Sequence, residues 1–419
     1  MEISLVNNGA LDYQSQAKKK VSLFKFLIAF FVLIINADTI SYLLLQNDAG
    51  VALYQKMMLS AITVVSLIFF LKWKKTDRIC FYVFMFFLVK LIIESLIKYR
   101  SLLAYPSVLA VISPFLYVYF IKNLFAKFNI DVFHTILVSI FVGYFIFMIL
   151  NGNDFDFNNT PLVYDETGPY SGDTRILHAN SILLLVLPFT YFLNKVVFGR
   201  KTSFAIGGFV ISLIIILIHQ HRTVWVTTIF SGLLLFFMKG KARNILRKLF
   251  LSVLCFFAVF ILLILIIPGF DHLVVERFAD ILNPLREDST SAFRYLQILS
   301  YLNYSIQKPL FGWTFSGFEL SNPFTSYWEE GTGHHFHNAY IEVLFYFGIT
   351  GCLMKFYPLY SVAKKVSRQL SDKTKILAAF SISGFVYSFS YVPPLIFWGI
   401  VGVCLYYIER DLKNIMTGK

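Results

Sequence analysis

The residues best suited to chemistry lie in one stretch, GTGHHFHNAYIEVLFYFGITG at 331–351. It opens with glycines and with His334, His335 and His337, then passes without a break into an apolar helical run. A neutral imidazole exchanges protons near pH 7, so acid–base catalysis is one reading of these histidines. Metal binding is another, although the spacing is loose and no cysteine adjoins it. A polar interfacial cluster is the third. His337 is the best placed, because Asn338 has the side chain of a helix N-cap and would open a helix directly after it. Tyr340 and Glu342 follow within a turn as candidates for support, and Glu342 equally suits a paired interfacial acid. His178 repeats the pattern in RILHAN, with Asn180 two residues on.

A second set is cationic. Arg222 stands in HQHRTVW and Arg294 in DSTSAFRY, with Arg277 and Arg286 in the same long polar stretch as Arg294. Arginine makes two parallel charge-assisted hydrogen bonds to phosphate oxygens, a geometry lysine does not copy. Arginines converging at a membrane surface suit a lipid-linked pyrophosphate. Ion pairing with acids such as Asp288 is the ordinary alternative.

The elements that must position these side chains follow from composition. Of 419 residues 57% are hydrophobic and 15% charged, against roughly 25% charged in soluble domains. Several windows reach the roughly 20 apolar residues that cross a bilayer. The class is an all-α polytopic membrane protein. A net charge of +13 does not point to nucleic acid, because the basic residues cluster between spans, as the positive-inside rule requires. Cys80, Cys255, Cys352 and Cys404 fall in or at apolar runs without metal or redox spacing, and read as small core hydrophobes.

The chain reads as a polar tail at 1–20, nine spans within 21–267, a long loop at 268–337, three more spans within 338–408 and a tail at 409–419, so about twelve spans in all. Lys18, Lys19 and Lys20 precede the first span, and no small-residue cleavage site follows, so that span is expected to stay as an anchor. With both termini cytoplasmic, the clusters beginning at Lys72, Lys239 and Lys364 fall inside, and the acidic 151–175 loop and the long loop fall outside. Arg222 then caps an outward hairpin, against the charge trend. Lys90 and Glu94, four apart in the third span, are expected to pair. Ser291–Ile306 reads as an amphipathic helix on the membrane, and the tenth span runs from about Asn338 to Tyr357. A loop this long is usually functional.

Four segments taken in order resemble the O-antigen ligase and polysaccharide polymerase superfamily of bacterial membrane enzymes. HQHRTVW at 219–225 is similar to that family's Arg-Thr/Gly-x-Trp at the start of a span. Residues 288–317 are similar to its arginine-bearing loop helix followed by Pro-Leu-Phe-Gly. HFHNAYIEVLFYFGITG at 335–351 is similar to His-Asn-x-Tyr-x-x-x-Leu-x-x-x-Gly-x-x-Gly. RILHANSILLLVLP at 175–188 is similar to a His-Pro-Asn element, with Ala179 in place of proline. The resemblance covers the second half of the chain; the first half matches only in hydropathy.

The resemblance implies a GT-C-type inverting glycosyltransferase of the bacterial inner membrane, with a periplasmic active site and no metal, nucleotide or other cofactor. The donor would be a glycan on undecaprenyl pyrophosphate. Arg222 and Arg294 would bind the pyrophosphate, and Arg277 joins them by position alone. His337 would take the proton from the acceptor hydroxyl, supported by His178, Asn180, His335, Asn338 and Tyr340. A polymerase would use a new lipid-linked repeat unit as acceptor, and a ligase would use lipid A core; we favour the polymerase. A flippase and a chain-length regulator are the expected partners beside membrane lipids. Two other readings are a transporter or flippase and a scaffold for export. Transport would place charges such as Lys90 and Glu94 at broken helices near the midplane, whereas the polar residues of this sequence crowd the outer edge.

Overall fold

Within a bilayer every backbone N–H and C=O must be satisfied inside its own segment, and for apolar runs that means helix. The computed structural model describes residues 23–45, 48–69, 73–151, 177–199, 202–219, 221–239, 257–266, 271, 275, 290–320, 334, 336–367 and 369–417. In chain order the helices are α1 (Leu23–Val32), α2 (Asp38–Leu45), α3 (Asp48–Phe69), α4 (Lys75–Tyr99), α5 (Pro106–Phe128), α6 (Phe133–Asn151), α7 (Ala179–Leu184), α8 (Val186–Phe198), α9 (Ser203–Ile218) and α10 (Arg222–Lys239). There follow α11 (Phe257–Ile266), then α12 (Thr290–Gln307), a 3-10 turn at Thr314–Glu319, α13 (Ala339–Lys365), α14 (Asp372–Tyr387) and α15 (Leu395–Met416).

Among the described residues, six segments are long and apolar enough, by length and composition, to cross a membrane: Lys75–Tyr99, Val108–Phe128, Phe133–Leu150, Ala179–Phe198, Arg222–Lys239 and Ala339–Lys365, the last of them broken at Gly348. Helices α1 and α2 form a further pair bent by 101°. The described part is therefore helical and polytopic, as the composition demands. Cys255, Arg175, Arg277, Arg286 and His335 lie outside the described residues.

The core is built where α5 packs along α15 and α10 along α14, with α14 against α15 and α13 against α5. Trp398, Tyr117, Tyr407, Phe84 and Phe125 fill it. Away from the site the bundle holds a buried charge cluster. Lys122 of α5 reaches Asp77 of α4 at 2.7 Å and Glu409 of α15 at 2.5 Å, with Lys122 and Asp77 side chains each 3% exposed. Removing one partner of a buried pair leaves an uncompensated charge, at about 3–5 kcal/mol. Lys122→Met is therefore expected to lower the thermal midpoint of the detergent-purified protein sharply. Lys74→Met is the control, because Lys74 also pairs with Glu409 but is 66% exposed, and an exposed pair contributes about 0–1 kcal/mol. Equal midpoints for the two variants would remove the cluster from the stability account.

Two features of the fold differ from a plain reading of the sequence. The first is α13. Glu342 and Lys355 bond at 2.9 Å, although 13 residues of straight helix would set them about 20 Å apart. Tyr340 stacks on Phe356 at 4.4 Å, and the Cys352 thiol lies 3.7 Å from the Tyr340 carbonyl. The helix therefore folds back on itself, and the break is Gly348, with φ 63° and ψ −161°. That backbone region is essentially confined to glycine. A helical hairpin replaces the single tenth span expected from Asn338 to Tyr357: a short arm, 339–347, and a long arm, 349–365.

A reversal in an apolar setting exposes backbone groups that need partners. They come from residues 309–313, the PLFG segment and the tryptophan after it. Ile349 N–H donates to the Pro309 carbonyl at 2.8 Å, Thr350 N–H to the Leu310 carbonyl at 3.2 Å, and Trp313 N–H to the Phe345 carbonyl at 2.8 Å. Gly312, at φ 66°, approaches so closely that a Cβ there would meet the Phe347 nitrogen at 2.4 Å. Two of the motifs that carry the family resemblance are thus halves of one main-chain clamp.

The second feature is α12, which runs from Thr290 to Gln307 where an amphipathic helix was expected at Ser291–Ile306. Its polarity is inverted. Gln297 and Ser305 are buried against the protein together with Tyr301, while Tyr295, Leu296, Leu299, Leu302 and Ile306 face outward. An apolar outer face over a polar inner face suits a helix against lipid rather than water. Lys90 and Glu94 pair at 3.1 Å, as the spacing predicted, but remain partly exposed at 31% and 25%. Glu94 also accepts from the Thr314 hydroxyl at 2.5 Å, tying α4 to the 3-10 turn.

Candidate active site

His337 sits between α12 and the hairpin, held by its own backbone and its neighbour's. Its N–H donates to the Gln297 side-chain oxygen of α12 at 3.1 Å. Asn338 caps α13 as the sequence suggested, accepting from Tyr340 N–H at 2.9 Å and Ile341 N–H at 3.1 Å. The Asn338 amide also donates to the Phe389 carbonyl at 2.8 Å, and Ala339 N–H donates to the Ser388 carbonyl at 3.0 Å. The start of the hairpin is so pinned to the link between α14 and α15. Burial pushes the His337 imidazole down to about 4, so near neutral pH it is uncharged.

That link carries Tyr391, which sequence reasoning did not single out. Its ring meets the His337 ring edge-on at 6.5 Å and the His178 ring at 5.6 Å. Arg294 of α12 lies over it, with the guanidinium carbon 4.7 Å from the ring centroid and Nη2 donating to the Tyr391 hydroxyl at 2.9 Å. Tyr391 stacks in turn on Tyr387 at 5.4 Å, and the Tyr387 hydroxyl donates to the Asn180 side-chain oxygen at 2.7 Å. The structure thus gathers His337, Arg294, His178 and Asn180 around one tyrosine pair.

His178 caps α7, its Nδ1 accepting from Asn180 N–H at 3.3 Å. This places the proton of the neutral ring on Nε2, as a donor. The ring keeps an exposed face, yet the protein packed beneath it lowers its basicity, and the nearby Arg294 charge lowers it further. Arg222 opens α10 half-buried. Its neighbour His221 bonds the Leu177 carbonyl through Nε2 at 2.9 Å, so Arg222 and His178 stand at one rim of the bundle. His219 is buried against the Tyr144 hydroxyl at 3.0 Å, an anchor for the turn.

His335 lies outside the described residues, and the other two histidines of the cluster stand in different settings. His334 is a buried strut: one ring nitrogen bonds the Tyr301 hydroxyl at 2.6 Å and the other the Gly317 carbonyl at 2.6 Å. With both nitrogens engaged it has none for a substrate or a metal. Tyr340, expected beside His337 in a supporting role, instead turns its hydroxyl to the Phe385 carbonyl of α14 at 2.9 Å. Its support is to the hairpin. Glu342 likewise serves the two arms of the hairpin rather than His337. Gln297, three residues after Arg294 on α12, holds the His337 backbone from the buried face of that helix and was not singled out in the sequence.

Residues 207–356 match the family described as O-Antigen ligase. The match begins in α9 and ends in the long arm of α13, so it contains Arg222, Arg294, His337 and both halves of the clamp, but neither His178 nor Tyr391. No curated protein matches the chain. The resemblance to the O-antigen ligase and polysaccharide polymerase superfamily therefore holds over residues 207–356, in a chain whose apolar helices make it an integral membrane protein.

Proposed function

We propose that the protein is a glycosyltransferase of cell-surface polysaccharide assembly in the bacterial inner membrane. It transfers a glycan from undecaprenyl pyrophosphate to an acceptor hydroxyl, and acts as a repeat-unit polymerase. The observation that carries this is the meeting of a neutral histidine, His337, and a phosphate-competent arginine, Arg294, against the one ring of Tyr391. The reading includes about twelve spans in a GT-C-type arrangement, cytoplasmic termini and a site facing the periplasm. The flippase and the chain-length regulator would act before and beside it.

The chemistry is one displacement. His337 accepts the proton of the acceptor hydroxyl as its oxygen bonds to the anomeric carbon. The bond from that carbon to the pyrophosphate oxygen breaks, and the configuration inverts. Negative charge grows on the departing pyrophosphate. Arg294 and Arg222 stabilise it there, as preorganised charges in a low-dielectric site do, and the Nε2–H of His178 is a third donor. Arg277 joins this set by sequence position. No step calls for a metal or a cofactor.

The glycan profile of a deletion strain tests the assignment. A strain that makes single-repeat glycan supports the polymerase. Accumulation of long, unattached polymer would overturn it and make the protein a ligase that feeds lipid A core. An unchanged profile would exclude both.

A further inference from the structure

We propose that Tyr391 is a positioning residue of the donor site, holding the Arg294 guanidinium in the orientation that receives the pyrophosphate. The proposal rests on the reading of Arg294 given above. It also adds a residue that lies outside the family match and outside every motif of the sequence.

Arg294 projects from α12, whose described start is Thr290. An arginine side chain there has many rotamers to lose, and each must be frozen before a two-pronged contact to phosphate forms. Tyr391 freezes them twice. The ring lies under the guanidinium at 4.7 Å, a cation–π arrangement that fixes the plane of the fork. The hydroxyl accepts from Nη2 at 2.9 Å, which fixes the rotation within that plane.

Tyr391 is itself rigid. It is 6% exposed, and its ring stacks on Tyr387 with the planes inclined by 22°. Tyr387 is fully buried and anchored through its hydroxyl to Asn180, beside the cap that holds His178. The link that carries Tyr391 is the same one that receives the Asn338 amide and the Ala339 N–H. One short segment between α14 and α15 therefore registers the arginine of α12 against the histidine at the mouth of the hairpin. A hydroxyl that accepts from a cationic donor also becomes a stronger donor through its own O–H, so the same arrangement leaves Tyr391 polarised beside the phosphate position.

A double-mutant cycle on the full-length protein tests this. Binding of undecaprenyl pyrophosphate to detergent-purified protein is measured for wild type, Tyr391→Phe, Arg294→Lys and the pair. Loss of a hydrogen bond to a charged group predicts roughly tenfold weaker binding for Tyr391→Phe, and Tyr391→Leu, which also loses the ring, should be weaker still. Lysine has no fork to orient, so adding Tyr391→Phe to Arg294→Lys should change nothing further. A merely structural tyrosine would act equally on both backgrounds, and that result would overturn the proposal. So would wild-type binding by Tyr391→Phe when Arg294→Lys is impaired. Unchanged binding by Arg294→Lys itself would instead overturn the pyrophosphate reading of Arg294, and the role of Tyr391 with it. The phenylalanine variant preserves shape and stacking, so folding does not confound the comparison.

Discussion

Arg294→Ala and His337→Ala are each expected to abolish detectable glycan assembly while the protein still reaches the membrane in normal amount. The first removes a preorganised charge from the leaving group, which is worth roughly 10²–10³-fold in turnover. The second removes the proton acceptor, at roughly 10²–10⁴-fold. Arg222→Ala should act in the direction of Arg294→Ala. Neither Arg294 nor His337 is a full core residue, and His337 keeps its backbone bond to Gln297 whatever its side chain, so insertion should survive. Wild-type polymer length and amount in these variants would refute the mechanism.

The same histidine sets a pH signature. Its active form is neutral, and burial holds its ordinary value down to about 4. Activity carried by the neutral ring is present above that value and is lost as pH falls through it. The acid limb of kcat/KM, which reports free enzyme, should therefore lie near 4 rather than at the usual 6.5 of an imidazole. With donor bound, the pyrophosphate charge favours the imidazolium, so the acid limb of kcat should move upward. A limb that stays at 6.5 in both quantities would assign the base to another group.

The second large effect belongs to Gly348. Gly348→Ala places a Cβ 2.5 Å from the carbonyl of Leu310 and from the Pro309 oxygen, both main chain and unable to step aside. It also puts a side chain into a conformation with φ 63° and ψ −161°, costing about 1–3 kcal/mol before the clash is counted. The clamp cannot form around it, and the short arm that presents His337 loses its register. Loss of folded protein from the membrane, or folded protein without activity, is expected; normal yield together with normal glycan would remove the hairpin from the design. Gly348→Ala should be far more damaging than Leu353→Ala one turn on, where the side chain is 69% exposed.

Much of this was legible in the residues. Apolar length marked the helices, because lipid-facing and core-facing surfaces alike must be hydrophobic. Asn338 announced its cap through side-chain chemistry alone, and the histidine before it followed. Arg294 stood out because a guanidinium has few cheap reasons to sit in a segment between membrane helices. The hairpin was invisible for an equally physical cause. Both arms of α13 are helical and apolar, so periodicity runs through Gly348 without a change of phase, and a glycine inside a helix reads as a tolerated residue. Glu342 and Lys355 would have revealed the reversal only to a reader who knew that they touch. His334 and His337 have the same chemistry on paper; Tyr301 and the Gly317 carbonyl, distant in sequence from His334, decide that one is a strut. Tyr391 was hidden by company. Among 24 tyrosines nothing local separates the one whose partner Arg294 lies 97 positions away.

The bond from the His334 ring to the Gly317 carbonyl ties a residue just ahead of the hairpin to the 3-10 turn, 17 positions earlier in the chain. The relation of the turn to the hairpin is thereby set by a bond. Doubling a closed loop costs only about 0.6 kcal/mol, so a relative could carry a longer or shorter stretch between these two residues while the distance from His337 to Arg294 stayed the same. The strut ties the spacing of the site to a bond instead of to a length of chain.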